Sequence, residues 1–293
     1  MDKGSCRLAV DIGGTFTDVV LWSAQGQTTA KVLTTVQAPE QGVLTAVHQV
    51  LNETKRLLSD VSLMIHGTTL ATNALIERKG AITAFLTSEG FRDILEMGYE
   101  KRFAHYDLNA ARAAPLVPRP LRYTVPERMT ADGRVHVPLD QGAVREVART
   151  LKKTGVEAIA VGFIHAYAYA QHEQMAAEIL QAELPGVNVC LSSDVCPEMR
   201  EYERFSTVCA NAYVQPLMAG YLDHLSNLLI HQGLRCPLYL MMSGGGLTTL
   251  DQAVRYPVRL IESGPAGGVL MSARLASARR LDNVMSFDMG GTT

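Results

Sequence analysis

The motif Asp11-Ile-Gly-Gly-Thr-Phe-Thr-Asp18 returns near the far end of the chain as Asp288-Met-Gly-Gly-Thr-Thr293, and this pair constrains the fold more than any other feature. Each copy follows a short apolar run, Leu8 to Val10 and Val284 to Phe287. An acid at the end of a buried strand, two glycines in a tight turn and then hydroxyl side chains make a loop suited to phosphate and its metal. Gly13 and Gly14 are free to take positive φ and put no Cβ between backbone N–H groups and phosphate oxygens. Thr15 and Thr17 add hydroxyl donors, while Asp11 and Asp18 stand where carboxylates hold Mg2+ directly or through water. A single copy also suits a plain hairpin turn with polar flanks. Two copies point to a duplicated fold that closes on a nucleotide from both sides, with the second copy cut off inside its own motif.

The 293 residues, 47% of them hydrophobic, supply a sizeable core for one large domain or two ordinary ones. A formal charge of -2 offers no broad basic field for a nucleic-acid backbone or an anionic membrane. Apolar runs such as Glu157 to Ile164 fall far short of the roughly 20 residues of a membrane span. Met1 to Cys6 has no apolar signal core, so the expectation is a soluble, cytoplasmic protein with neither nucleic acid nor membrane as partner. Cys6, Cys190, Cys196, Cys209 and Cys236 are odd in number and lack Cys-x-x-Cys spacing, which argues for reduced thiols.

Arg7 to Asp11, Thr15 to Trp22 and Thr28 to Thr34 read as an antiparallel meander whose first turn is the phosphate-type loop. A helix opening at Pro39, a strand over 61–65, a helix over 70–79 and a strand over 81–86 continue it as an α/β sheet. Prolines 115, 118, 120 and 126 interrupt regular structure between Gly98 and Asp132. Beyond them, Gln141 to Ser192 reads as helix, strand, helix, strand, enough for a βαβ unit. A long helical region runs from Pro197 to about His231, then come a strand over 238–242 and a helix over 265–279. The expected divisions are an α/β subdomain over 1–97, a second or inserted one over 98–196, and an ATPase-core segment over 197–293.

His66-Gly-Thr-Thr-Leu-Ala-Thr-Asn73 lies where a strand passes into a helix, and a helix N-terminus with Thr68 or Thr69 offers N–H groups to an anion. The same residues suit plain helix capping, with His66 a hydrogen-bonded residue at a strand end. Ser243-Gly-Gly-Gly246 and Glu262-Ser-Gly-Pro-Ala-Gly-Gly268 either line a ligand crevice or make tight turns with close helix packing. Tyr202, Phe205, Val208, Cys209, Ala212 and Tyr213 recur at helical spacing and read as core, and the charges from Glu198 to Arg204 as a solvated turn. No Ser-His-Asp set, His-x-x-x-His pair or paired-carboxylate spacing supports hydrolysis by the chain's own nucleophile or metal.

The blocks taken together resemble one family. Leu8 to Val20 is similar to the N-terminus of the hydantoinase A / 5-oxoprolinase family, which includes acetone and acetophenone carboxylase subunits, and His66 to Gly80 resembles its next block. Pro197 to Arg204, Asn211-Ala-Tyr-Val214, Ser243 to Gly246, Ser263 to Gly267 and Asp288 to Thr292 follow in that family's order. The resemblance implies an actin/Hsp70/sugar-kinase-like (ribonuclease H-like) ATPase fold with an incomplete second half. It implies a hydantoin, 5-oxoproline or similar lactam activated by phosphoryl transfer from ATP before ring opening, completed with a hydantoinase B-type subunit or domain in an oligomeric full-length protein. An ATP-dependent ketone carboxylase subunit and a non-catalytic ATP switch of actin or Hsp70 type are the alternatives. On this model Gly13, Gly14, Thr15, Thr17, Gly290, Gly291 and Thr292 cradle phosphates. Asp11, Asp18 and Asp288 take the metal, with Asp11 and Asp288 also on the attacking water. His66, Thr68, Thr69 and Asn73 border the transferred phosphate. Family members run on for several hundred residues, so this chain alone is expected to bind ATP weakly and not to turn over.

Overall fold

The computed structural model describes residues 6–35, 37–99, 106–109 and 113–289. In chain order the elements are β1 (Cys6–Ile12), β2 (Phe16–Ser23), β3 (Gly26–Leu33), α1 (Pro39–Thr54), β4 (Val61–Thr68) and α2 (Leu70–Ile76). There follow β5 (Thr83–Ser88), α3 (Ile94–Met97), β6 (Arg122–Val125), β7 (Arg128–Met129), β8 (Val135–Val137), α4 (Gln141–Leu151), β9 (Ala158–Gly162), α5 (Gln171–Glu183) and β10 (Asn188–Leu191). The remainder is α6 (Ser192–Val195), α7 (Glu201–His231), β11 (Leu238–Met241), β12 (Leu247–Thr249), α8 (Leu250–Arg255) and α9 (Ser263–Arg279). The chain forms two compact units, residues 1–79 with 217–293, and residues 80–216.

The first unit holds the six-stranded sheet β12-β11-β4-β1-β2-β3. β4 and β11 run parallel to β1, whereas β2 is antiparallel to both β1 and β3. The period-2 alternation explains the meander: Leu8, Val10, Ile12, Val19 and Leu21 turn inward and are essentially fully buried. Pro39 starts α1 with its φ already set, and Val43, Val47 and Val50 are wholly buried on a helix that packs on β2 and β3. Each such side chain contributes about 1.5–3 kcal/mol by leaving water. The expected strand over Val284 to Phe287 does not form. That segment is irregular, no described strand pairs with it, and Met285 and Phe287 are exposed.

The second unit holds the sheet β10-β9-β5-β6, parallel throughout. β5 and β9 are buried along their whole length, as strands covered on both faces should be, β9 being apolar throughout and β5 carrying buried Thr83, Thr87 and Ser88. α4 and α5 pack together, and their Val144, Ala148, Ala176 and Leu180 join one core with Leu86, Ile159 and Val161. Compositional boundaries after residues 97 and 196 fall inside this unit, because β5 pairs with β6 and β9 rather than with the first sheet. α7 continues through Pro216, and the expected stripe of Phe205, Val208, Cys209 and Ala212 is buried.

One expectation is overturned here. Arg204 is not part of a solvated turn but is 0% exposed. Its Nε donates to Ser192 Oγ (3.1 Å), Nη1 to Glu198 O (2.9 Å) and Nη2 to Phe163 O (3.0 Å). Ser192 Oγ in turn donates to the buried Glu173 carboxylate (2.6 Å), which also accepts from Phe163 N, Ser193 N and Ser193 Oγ. Arg204 lies four and seven residues before the buried Val208 and Asn211, so helical spacing puts it on the inward side of α7, where its hydrogen-bond partners take up its charge. Burial raises the Glu173 pKa, and these donors offset only part of that rise.

Candidate functional site

The first unit opens a cleft of about 660 Å³ at the carboxyl ends of β1 and β4, within the usual size of small-molecule sites. The turn after β1 forms its floor. Gly13 N donates to Phe16 O (2.8 Å), Thr34 Oγ1 donates to Gly13 O (3.0 Å), and Thr34 N donates to Thr15 O (2.9 Å). Neither Gly13 nor Gly14 lies in the left-handed region, contrary to expectation. Gly13 is suited to closeness instead, since a Cβ there would sit 3.1 Å from Phe16 O. Thr69, whose hydroxyl donates to Ile12 O (3.1 Å), lines the cleft beside Gly14 and Thr15. Glu262, Gly264 and Pro265 at the start of α9 form another wall.

Charge is concentrated in one row of the sheet. The registers align Gly67 with Asp11, Asp11 with Asp18, and Asp18 with Lys31 across four neighbouring strands. Lys31 Nζ donates to both Asp18 carboxylate oxygens at 2.8 Å and lies 4.8 Å from the centre of the Phe16 ring. Crowding by protein raises the Asp11 pKa, the Asp18 and Asp288 carboxylates raise it further, and Lys31 opposes them. Gly67 leaves room for this acid: a Cβ there would be 2.7 Å from Asp11 Oδ1. Gly67→Ala is therefore expected to displace the Asp11 carboxylate, costing about 1–3 kcal/mol of stability as an overpacked substitution. A thermal melt checks the stability, and nucleotide turnover checks the displaced carboxylate.

Several expected residues stand elsewhere. Thr17 is fully buried with Oγ1 3.0 Å from Thr34 Oγ1, so it braces the turn from behind rather than facing the cleft. His66 is also fully buried, its Nε2 2.8 Å from the Tyr221 hydroxyl, and it does not line the cleft. Thr68 is buried with Oγ1 accepting from Leu70 N (3.2 Å), and the N-cap of α2 is Thr69, which makes no side-chain cap bond. Asn73 Nδ2 donates to Thr69 Oγ1 (3.3 Å) and supports it. Asp288 lines the cleft, while Gly290, Gly291 and Thr292 lie outside the described residues. Ser243 to Gly246 forms the turn between β11 and β12, with Ser243 Oγ donating to Arg259 O (3.0 Å). Among the described residues no group of three or more metal-ligating side chains forms, Asp18 being engaged by Lys31, and no helix is long and apolar enough to cross a membrane.

Sequence reasoning missed Lys31 as a cleft residue, whereas Glu262, Gly264 and Pro265 take the crevice-lining alternative that it left open. The signal for Lys31 was the register of the hairpin, which its short turn at Ala24 to Gly26 would have yielded. Glu262 shows a left-handed backbone at φ 62°, held by its N–H donating to Thr72 Oγ1 (3.0 Å).

Burial lowers the His66 pKa from 6.5 to about 4. The folded protein thus keeps His66 neutral while the unfolded chain takes up a proton below pH 6.5, so stability falls as pH drops from there towards about 4. The expected contribution is about 3 kcal/mol across that window. Urea unfolding over the same pH range should show a shallower fall for His66→Gln than for the wild type.

Comparison with known proteins places the chain in a family. Residues 7–184 match the model of the hydantoinase/oxoprolinase N-terminal region, and residues 204–293 match that of hydantoinase/oxoprolinase. The chain belongs to the hydantoinase/oxoprolinase family. Among its relatives, the caprolactamase subunit alpha of Pseudomonas jessenii is 34% identical over 302 residues, spanning 100% of this chain and 43% of that subunit. The crystal structure of the ATP-dependent caprolactamase from that organism superposes with a TM-score of 0.87 at 34% identity, over 97% of this chain and 42% of the solved one. The 5-oxoprolinase of Saccharomyces cerevisiae is 30% identical, over 100% of this chain and 26% of its own length. A nucleotide-free acetone carboxylase structure, from work on ATP-dependent acetone carboxylation, matches with a TM-score of 0.86 at 25% identity, over 94% of this chain and 41% of that one. This hydantoinase/oxoprolinase chain therefore spans less than half the length of these relatives.

Proposed function

We propose that this chain supplies the nucleotide-binding part of an ATP-dependent enzyme that activates the carbonyl of a cyclic amide by phosphoryl transfer before ring opening. The observation that carries the reading is the cleft in which Asp11, the Gly13 to Thr15 turn, Thr69 and Asp288 face a common space. The five-strand order β3-β2-β1-β4-β11, in which β2 runs against the other four, supports an actin-like, ribonuclease H-like assignment, with β12 added antiparallel to β11 at the edge. Caprolactamase and 5-oxoprolinase among the relatives support a lactam as the substrate class.

The chemistry follows from the amide. Resonance makes a lactam carbonyl a poor electrophile. A phosphoryl group transferred to its oxygen makes the carbon electrophilic enough for water to add. The C–N bond then breaks with nitrogen protonated, and the acyl phosphate left is hydrolysed. In such a transfer the protein's work is to position the reactants and neutralise charge. The fit of a triphosphate rests on donors: backbone N–H groups of the turn, the Thr15 hydroxyl, and the N-terminus of the 17-residue α9 at Gly264. The fit of Mg2+ rests on Asp11 and Asp288, whose carboxylates would hold it through water, and the ion would supply positive charge against a bound phosphate. Asp11, hydrogen-bond acceptor and anion in one, would orient the water that attacks the phosphorylated carbonyl.

Substrate-stimulated ATP hydrolysis by the native enzyme, together with its B-type partner, tests the proposal. Stimulation by lactams or hydantoins supports it. Stimulation by a ketone with bicarbonate instead makes the protein a carboxylase subunit, a reading favoured by the acetone carboxylase likeness. Tight ATP binding without stimulation by either would make it a switch.

A further inference from the structure

Lys31 is the cation in the charged row, and nothing in the phosphate motif itself calls for it. It sits on the edge strand β3, directly across from Asp18, and its ammonium lines the same cleft as Gly14 and Thr15. The ammonium itself lies 4.8 Å from the centre of the ring of Phe16, the residue that closes the glycine turn by accepting from Gly13 N, so the charge is held beside the turn. The pair with Asp18 is symmetrical, 2.8 Å to each carboxylate oxygen, but half-open to solvent, at 55% and 48% side-chain exposure. An ion pair of that kind contributes little to folding and is readily exchanged. Asp11 stands on the other side of Asp18 in the row, so two carboxylates share one ammonium beside a cleft expected to receive a polyanion.

We propose that Lys31 is an exchangeable phosphate ligand: it is tethered to Asp18 while the cleft holds no nucleotide and moves to the terminal phosphate of a nucleoside triphosphate when that group arrives. This rests on the nucleotide-binding reading of the cleft. The exchange matches charges in both states. Without nucleotide, Lys31 screens Asp18 from Asp11. With nucleotide, the ammonium offsets the terminal phosphate and Asp18 becomes available to a metal. Lysine suits the move because its ammonium is a compact point charge on a flexible stem, whereas arginine's planar fork favours a fixed bidentate pair. Lys31 is thus a residue that reads the presence of the last phosphate, and it discriminates triphosphate from diphosphate.

Calorimetric titration of the native protein with ATP and ADP, with Mg2+ and separately with EDTA, tests this apart from turnover. Lys31→Met is expected to weaken ATP binding about 10–100-fold, the range for losing a charged hydrogen bond, and ADP binding less than about 3-fold, the terminal contact being absent there. Lys31→Arg should restore most of the ATP affinity. In EDTA, Asp18→Asn should tighten ATP binding by releasing Lys31, and that gain should vanish on the Lys31→Met background. Equal losses for ATP and ADP, or a gain from Asp18→Asn that persists without Lys31, would overturn the exchange, the latter by showing plain repulsion between Asp18 and phosphate. No ATP binding by the wild type would instead refute the nucleotide reading itself. Lys31 lies half-exposed on an edge strand, and a thermal melt within a few degrees of the wild type confirms that the variants fold.

Discussion

Asp11→Asn is expected to lower substrate-stimulated ATP turnover by about 10²–10³-fold, the scale on which one preorganised electrostatic group acts, without lowering the melting temperature. Asparagine keeps the size and most of the hydrogen-bonding capacity of the side chain but removes the charge. That charge is disfavoured in the fold by crowding and by the Asp18 and Asp288 carboxylates, as its raised pKa reflects. Losing it relieves the folded state while depriving the cleft of an anion beside the phosphate turn. Stability and activity should therefore part company, as they do where a site is strained for function. The check is a pair of measurements on one preparation, a thermal melt and a steady-state ATPase assay. A large drop in melting temperature would mean that Asp11 is a structural residue, and unchanged turnover would remove it from the chemistry.

Arg204→Met is expected to destabilise the second unit by about 3–5 kcal/mol, the cost of breaking a buried charged network by removing one member. Methionine replaces the aliphatic stem but supplies neither the donors nor the guanidinium that lies over the Tyr167 and Phe205 rings. The carbonyls of Phe163 and Glu198 and the Ser192 hydroxyl each lose their guanidinium partner. The Glu173 carboxylate, 0% exposed, then loses the positive charge behind Ser192. In urea unfolding the transition belonging to this unit should move to lower denaturant at an unchanged slope. A double replacement, Arg204→Met with Glu173→Gln, should recover part of the loss, because the amide no longer needs a compensating cation. Additive losses in the double variant would show that the two groups are energetically independent.

Local pattern made much of this architecture legible. Alternation in Leu8, Val10 and Ile12 marked β1, Pro39 marked the start of α1, and the unbroken apolar run at Ala158 to Gly162 marked a strand buried on both faces. The phosphate-type turn, with Asp11 before it, was readable because its glycines and acid are adjacent in the chain. His66 was not separable from a ligand-facing residue, since a strand end looks alike from either face until its neighbours are known; Tyr221 lies 155 positions away. Arg204 defeated the reading for the same reason, its partners Phe163 and Ser192 being remote in the chain.

By itself the sequence determined which elements form, where the glycine turns fall and to which family the blocks belong, because those depend on neighbours within a few residues. Only the tertiary structure decided that Gly67, Asp11, Asp18 and Lys31 stand in one row, that Thr17 and His66 turn inward, and that residues 80–216 make a unit interrupting the first. Strand register and burial are settled by pairing between distant segments, and a shift of one residue would send every side chain of a strand to the opposite face.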